Sequence, residues 1–202
     1  KELVNNMFEL LIDTSNTQLN VGLCKDKQLI DYISYEAWQR QSELLVVEID
    51  KLLTKHNVNR KDIDGVCVGV GPGSYTGVRI GLTVAKTICY ACKCSMYAVS
   101  SLQLLKSNNP SIVIMNARSE RSYFAVYDGN NVIEQDQILD NNAVKKYIEE
   151  HPQYEICGDV KHLQLESSKY SIIDNLLLAM DDIHKVDDIY KVNPVYLKDL
   201  YK

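Results

Sequence analysis

The sequence predicts an α/β protein of two successive units, each a meander of strands followed by crossover helices. Three observations predict it. Apolar runs of strand length come in a group of three at the start of each half. A helical stretch, a further apolar run and a second helical stretch follow each group. The order strand-strand-strand-helix-strand-helix is thus met twice in 202 residues, with one more strand and helix in the first half and no sequence identity between the halves.

Phe8 to Thr14 is a short apolar run ending in the turn signal Asp13-Thr14-Ser15-Asn16. Leu19 to Lys25 and Gln28 to Tyr35, joined at Lys25-Asp26-Lys27, complete the first meander. Glu36 to His56 is rich in helix formers and sets Leu45, Ile49, Leu52 and Leu53 on one face. Val66 to Val70 alternates Val, Cys and Gly, as a buried strand does. Gly71-Pro72-Gly73-Ser74 then opens a helix running to Cys92. Ser95 to Val99 is a strand, and Ser100-Ser101 caps a helix to Lys106. In the second half Ile112 to Asn116, Tyr123 to Asp128 and Val132 to Ile138 are strands, the last two joined by the hairpin signal Asp128-Gly129-Asn130-Asn131. Asp140 to Glu150 is a helix, Tyr154 to Gly158 a strand, Leu176 to His184 a second helix, and Asn193 to Leu197 a short extended tail.

A three-strand meander with crossover helices is the ribonuclease-H-like unit, and two in tandem make the actin-like (ASKHA) fold. The boundary falls between Ser101 and Asn109. This divides the chain into an N-terminal domain, residues 1–104, and a C-terminal domain, residues 105–202, whose last residues pack back on the first. Met7 is expected to be the native start, with residues 1–6 an upstream leader.

Composition sets the outer bounds. Apolar residues are 46% and charged residues 24%, ordinary for a globular chain long enough to bury a core without disulfides. No apolar run approaches the roughly 20 residues that span a bilayer; Ile63 to Val70 is broken by Asp64, Gly65 and Gly69. The net charge of −5 and the absence of any Lys/Arg run argue against direct, sequence-independent nucleic-acid binding. Cys89, Cys92 and Cys94 cluster, yet no second Cys or His pair stands at zinc-ligand spacing. They read as small buried thiols kept reduced in a cytoplasmic protein. His56, His151, His162 and His184 form no metal motif and read as isolated surface side chains.

The segment Gly69 to Gly81 leaves a strand and opens a helix, a place where backbone N–H groups attract anions. It is neither a P-loop, which needs Gly-Lys-Ser/Thr, nor a dinucleotide fingerprint, since Thr76 replaces the third glycine. Ser74 lacks the frame of a nucleophile elbow and reads as a helix cap. Gly77, Gly81, Ala85 and Cys89 recur every four residues, so one helix face is nearly bare. That face suits either the chain's own sheet or a partner's helix. The helix at 36–56 is apolar on two sides, Leu45, Ile49 and Leu52 forming one stripe and Leu44 and Val47 beginning another, which points to an extra contact. Asp13-Thr14-Ser15 ends the first strand, where actin-like ATPases hold phosphate or magnesium. The second half offers only Gly129 and Gly158, so the second phosphate loop and the Gly-Gly adenosine motif of such a kinase are missing.

The run Gly71-Pro72-Gly73-Ser74-Tyr75-Thr76-Gly77-Val78-Arg79-Ile80-Gly81 resembles the signature of the TsaB (YeaZ) family. Leu11 to Ser15, Gln41-Ser42-Glu43, Val99 to Leu102 and Pro194 to Leu197 are similar as well. Two positions depart from the family's pattern: Asn116 stands in place of Asp and Arg121 in place of Glu. The resemblance implies an actin-like, non-catalytic partner subunit in threonylcarbamoyladenosine synthesis on tRNA. Such a subunit pairs with the catalytic TsaD, which modifies the adenosine next to the anticodon in tRNAs reading codons that begin with adenine. The ATPase TsaE joins them, and the subunit forms a homodimer when alone. The resemblance further implies no cofactor of its own, ATP and magnesium in the wider complex, tRNA contact only through that complex, a cytoplasmic location and no membrane. The partner interface it implies is Leu44, Leu45, Glu48, Leu52, Gly73, Tyr75, Thr76, Gly77, Ile80, Gly81, Val84 and Ala85. Asp13, Thr14 and Ser15 are its candidate nucleotide or phosphate contacts. An actin-like small-molecule kinase or ATPase is the alternative. A metallopeptidase fails for want of ligands and of a nucleophile–base pair.

Overall fold

The computed structural model describes residues 6–181 and 183–197; residues 1–5 of the expected leader lie outside them. Two sheets make the frame of an actin-like α/β fold. The first holds β1 (Phe8–Asp13), β2 (Gln18–Lys25), β3 (Gln28–Glu36), β4 (Ile63–Gly69) and β5 (Ser95–Val99) in the order β3-β2-β1-β4-β5. The meander pairs antiparallel, while β4 joins β1 and β5 joins β4 in parallel through the crossover helices α1 (Gln41–Lys55) and α2 (Tyr75–Cys92). The second sheet holds β6 (Ser111–Arg118), β7 (Arg121–Asp128), β8 (Asn131–Asp140) and β9 (Glu155–Gly158) in the order β8-β7-β6-β9. Helix α3 (Asn141–Glu150) makes its crossover, and α4 (Ile172–Leu178) follows.

Strand alternation sorts the core into three layers. Leu10, Ile12, Val66 and Val68 face α1 and α2 on the outer side of the first sheet, with Leu45, Ile49, Leu52 and Leu82. Their neighbours Leu11 and Cys67 point the other way, to a middle layer shared with Val113, Met115, Ala125 and Tyr127 of the second sheet and Ile173 and Leu176 of α4. Ile112, Ile114, Phe124 and Val126 close the outer side of the second sheet with Val144 of α3. Side chains one residue apart therefore serve different cores, as a period of two requires.

Three helices differ from expectation. Glu36 still pairs with Gln18, and a turn with Gln39 at φ 61° intervenes, so α1 starts at Gln41 rather than Glu36. Ser100 does cap, accepting from the Leu102 N–H at 3.1 Å, but only the single turn Gln103–Leu105 forms before Lys106 extends toward the second sheet. The last helix starts at Ile172, where the Ser171 hydroxyl accepts from the Asp174 N–H, and ends at Leu178. Residues 184–186 instead pair with β5: Ala98 N–H donates to His184 O at 2.9 Å and Val186 N–H to Met96 O at 2.8 Å. A free strand edge takes a partner, and here the chain's own end supplies it.

Helix α2 lies on the sheet by its bare face. The Thr14 hydroxyl donates to Gly77 O at 2.7 Å, and a Cβ placed on Gly81 would meet Thr14 Oγ1 at 2.7 Å. Gly77, Gly81 and Ala85 are buried inside the chain. The expectation that they line a partner interface is corrected: the small-residue stripe serves close approach of helix to sheet. Gly81→Leu is accordingly expected to lower the unfolding free energy by on the order of 1–3 kcal/mol or more through overpacking. Urea unfolding followed by circular dichroism reads this; wild-type stability of the variant would refute the packing assignment.

Candidate functional site

Two places compete for function: the turn after β1 and the outer face of α1 and α2. At the turn, Asp13, Thr14 and Ser15 are all buried. The Gly71–Ser74 loop folds over them, with Gly71 at φ +103° against the Val195 backbone. Ser74 N–H donates to Ser15 O at 2.7 Å, and the Ser74 hydroxyl accepts from Gly77 N–H at 3.2 Å. Ser15 N–H donates to Asp13 Oδ1 at 3.3 Å, and the Gln41 amide donates to Asn16 O at 3.0 Å. Ser101 secures the far side, its hydroxyl accepting from Gly71 N–H at 2.9 Å and its N–H donating to Gly71 O at 2.8 Å. Burial pushes the Asp13 carboxyl up to about 6, against the lowering effect of Ser15 and Asn20. Asp13, Thr14 and Ser15, the expected nucleotide contacts, are buried and engaged within the chain.

The helix face is the opposite case. Val46 and Val47 on α1 are 58% and 46% exposed, while Leu44, Ile80, Val84 and Ile88 are half-buried. Between the helices runs a groove of about 520 Å³, walled by Val46, Val47, Val84 and Ile88 and floored by Ile49 and Leu53. At one end Arg60 donates to Asp50 Oδ1 at 2.5 Å. Among the expected interface residues, Leu44, Tyr75, Thr76, Ile80 and Val84 reach this surface, and Gly73 is partly exposed. Leu45 and Leu52 belong to the core, and Glu48 is buried under Lys51 and Tyr35, accepting from them at 2.9 and 3.1 Å. Those three, like Gly77, Gly81 and Ala85, point inward and are corrected.

Two features went unseen in the sequence. Val46 and Ile88 complete the groove, and the neighbouring Val47 was the available signal. Tyr196 of the tail stacks on Tyr75 at 5.1 Å between ring centroids, with the Arg79 guanidinium 5.3 Å from the Tyr75 ring. Nothing local in the sequence announces that pairing.

Among the described residues no three His, Cys, Asp or Glu side chains gather as a metal cluster. Cys89 and Cys94 interact thiol to thiol, which lowers Cys94 and raises Cys89, and the Cys92 thiol lies 3.2 Å from Arg60 O. The histidines are half-buried and partnered rather than isolated on the surface: His56 with Asp31, His151 with Tyr147 O, His162 with Ser122 and His184 with Asp181.

Comparison with known proteins adds to this geometry. The model of the family described as TsaD: tRNA N6-adenosine threonylcarbamoyltransferase matches residues 35–155. The tRNA threonylcarbamoyladenosine biosynthesis protein TsaB of Bacillus subtilis is 33% identical over 144 residues, 68% of this chain and 62% of that protein. The protein of the same name from Escherichia coli is 29% identical over 126 residues, 58% of this chain and 54% of that protein. The chain thus spans less than two thirds of the length of either relative. In structure, YeaZ from Pseudomonas aeruginosa superimposes with a TM-score of 0.76 at 19% identity, over 95% of this chain and 100% of that one. The fold is therefore shared with YeaZ, and the sequence likeness to TsaB agrees with the motif at Gly71 to Gly81.

Asp13 generates a pH prediction. Its carboxyl keeps its proton to about pH 6 in the folded chain, while the ordinary value is 3.8. Well below pH 3.8 both states hold the proton and no penalty exists; stability then falls as pH rises toward 6, where a buried charge must form. In wild type this loss amounts to on the order of 3 kcal/mol. Asp13→Asn should remove that share of the pH dependence in urea titrations between pH 4 and 7. Identical slopes for the two proteins would count against the burial cost.

Proposed function

The chain belongs to the TsaD family, described as tRNA N6-adenosine threonylcarbamoyltransferase, and on that premise we propose that it is a TsaB-type partner subunit in threonylcarbamoyladenosine biosynthesis on tRNA. It acts by binding the catalytic TsaD subunit, with the ATPase TsaE joining the pair, and has no transferase chemistry of its own. It meets tRNA only through that complex, in the cytoplasm, where ATP and magnesium belong to the other subunits. The reaction so served is transfer to the adenosine beside the anticodon in tRNAs for codons beginning with adenine.

The observation that carries this reading is the apolar groove between α1 and α2. A surface helix needs one apolar stripe for its own core. Here the inward stripe is complete with Leu45, Ile49 and Leu52, yet Val46, Val47, Val84 and Ile88 form a second one outward. Two helices with an apolar seam accept two more in a four-helix arrangement. TsaD is the proposed occupant, and a homodimer uses the same face when TsaD is absent. The alternative, an actin-like kinase or ATPase, is weakened by the closed turn at Asp13 to Ser15.

Val46→Asp and Val47→Asp each place a charge in the groove without touching the inner core. Each is expected to leave circular dichroism unchanged and to weaken TsaD binding by about 2 kcal/mol, more than tenfold in Kd. Titration against the cognate TsaD reads this, and unaltered affinity in both variants would place the interface elsewhere. The isolated chain is also expected to show no ATP hydrolysis above background. Steady turnover abolished by Asp13→Ala would overturn the subunit reading in favour of a kinase.

A further inference from the structure

Far from the helix face, Lys106 presents a buried cation. It is 6% exposed, at the end of the single turn that leads into the second sheet. Its ammonium donates to Gly129 O at 2.5 Å and Asn130 Oδ1 at 3.3 Å, in the turn between β7 and β8. Both acceptors are neutral, and among the described residues Lys106 makes no ion pair. Lysine is almost never buried unless paired, because an uncompensated charge in a low dielectric is costly. Burial pushes this ammonium below the ordinary lysine range. The third N–H has no protein acceptor among the described residues.

Lys106 also lines a small cavity of about 100 Å³, bounded by the β7–β8 turn, the end of α4, and Asp181, Ile183 and His184. Its polar wall is Gln103, Asn130, Asn175 and His184. Asp181 lies on that wall too, but its Oδ1 is 2.6 Å from His184 Nδ1 and does not compensate Lys106. The mouth is apolar and open: Val132, Leu178 and Ile183 are 43%, 56% and 88% exposed. A cation at the base, amide and imidazole groups on one wall and aliphatic side chains at the rim define the shape of the missing group.

We propose that this cavity binds a carboxylate carrying a small aliphatic substituent, the carboxylate on the Lys106 ammonium and the substituent against Val132, Leu178 and Ile183. A free short-chain acid and the C-terminal carboxylate of a peptide ending in an aliphatic residue share that chemistry. The cavity volume admits one such group and little more. Bound there, the anion bridges Gln103 and His184, next to the first sheet, to the β7–β8 turn of the second, so it tightens the two units against each other.

The test is thermal unfolding of the full chain, dialysed free of carboxylates and titrated with isobutyrate. Isobutyramide serves as the neutral isostere. A saturable rise in midpoint with isobutyrate and none with isobutyramide is expected, since a ligand that binds only the folded state stabilises it by mass action. Lys106→Met should abolish the rise. Val132→Glu, an exposed change that leaves the interior intact, should weaken binding at least tenfold and decides the matter if Lys106→Met fails to fold. Acetylated tripeptides ending in valine, with a free or an amidated C-terminus, separate the two sources. A peptide apparent Kd well below that of isobutyrate assigns the site to a protein terminus, and the reverse order assigns it to a metabolite-sized acid. Equal shifts with acid and amide, a full shift in Val132→Glu, or no saturable shift at all would overturn the proposal and leave the cavity to water. Binding of TsaD is read at the other face, so failure here does not bear on the subunit reading.

Discussion

The approach of α2 to the turn after β1 is the contact from which the rest of the N-terminal half takes its form. Backbone meets backbone there: Ser74 N–H reaches Ser15 O, and the Thr14 hydroxyl reaches Gly77 O. Side chains at Gly73, Gly77 and Gly81 would run into Ser15 O, the Thr14 carbonyl oxygen and the Thr14 hydroxyl respectively. With α2 held so closely by its bare side, its other large side chains divide between the core and the outside. Leu82 goes to the core, while Val84 and Ile88 reach the groove. One close contact thus buries Asp13 and, on the opposite side of the same helix, leaves an apolar seam in water.

Such an arrangement closes the turn after β1 and leaves the face of α1 and α2 outward. A helix N-terminus that follows a strand is a place where an anion can be met. Here the loop that could have cradled it covers the turn instead, and the polar groups of the turn satisfy one another. The surface gained is apolar and continuous across two helices.

Much of this was legible in the residues. The two meanders, the hairpin at Asp128 to Asn131 and the helix from Tyr75 to Cys92 follow from periodicity and turn chemistry that act over a few residues. The glycine stripe was visible, but its direction was not, because a bare helix face looks the same whether a sheet or a foreign helix covers it. Thr14 decides the matter, and its distance from Gly77 in the chain hides the pairing from any local pattern. The limits of the last helix were lost for a similar reason: residues 184–186 are claimed by the edge of β5, a tertiary pairing that overrides local preference. Lys106 was unremarkable as one lysine among 17 in the sequence, and only the burial of its neighbours makes it a charge without a counterpart.

The strap formed by residues 184–197 has a consequence for how the molecule comes into being. It completes the edge of β5, donates from Val195 to Val70 O, accepts the Lys86 ammonium at Val192 O and lays Tyr196 on Tyr75. A ribosome delivers these segments after the whole second half. The N-terminal unit therefore waits, through the synthesis of the second half, with one sheet edge uncovered and α2 without its outer brace. Contacts so distant along the chain are slow to close, so the edge of β5 and the Tyr75 end of α2 are the last parts of the N-terminal half to be completed.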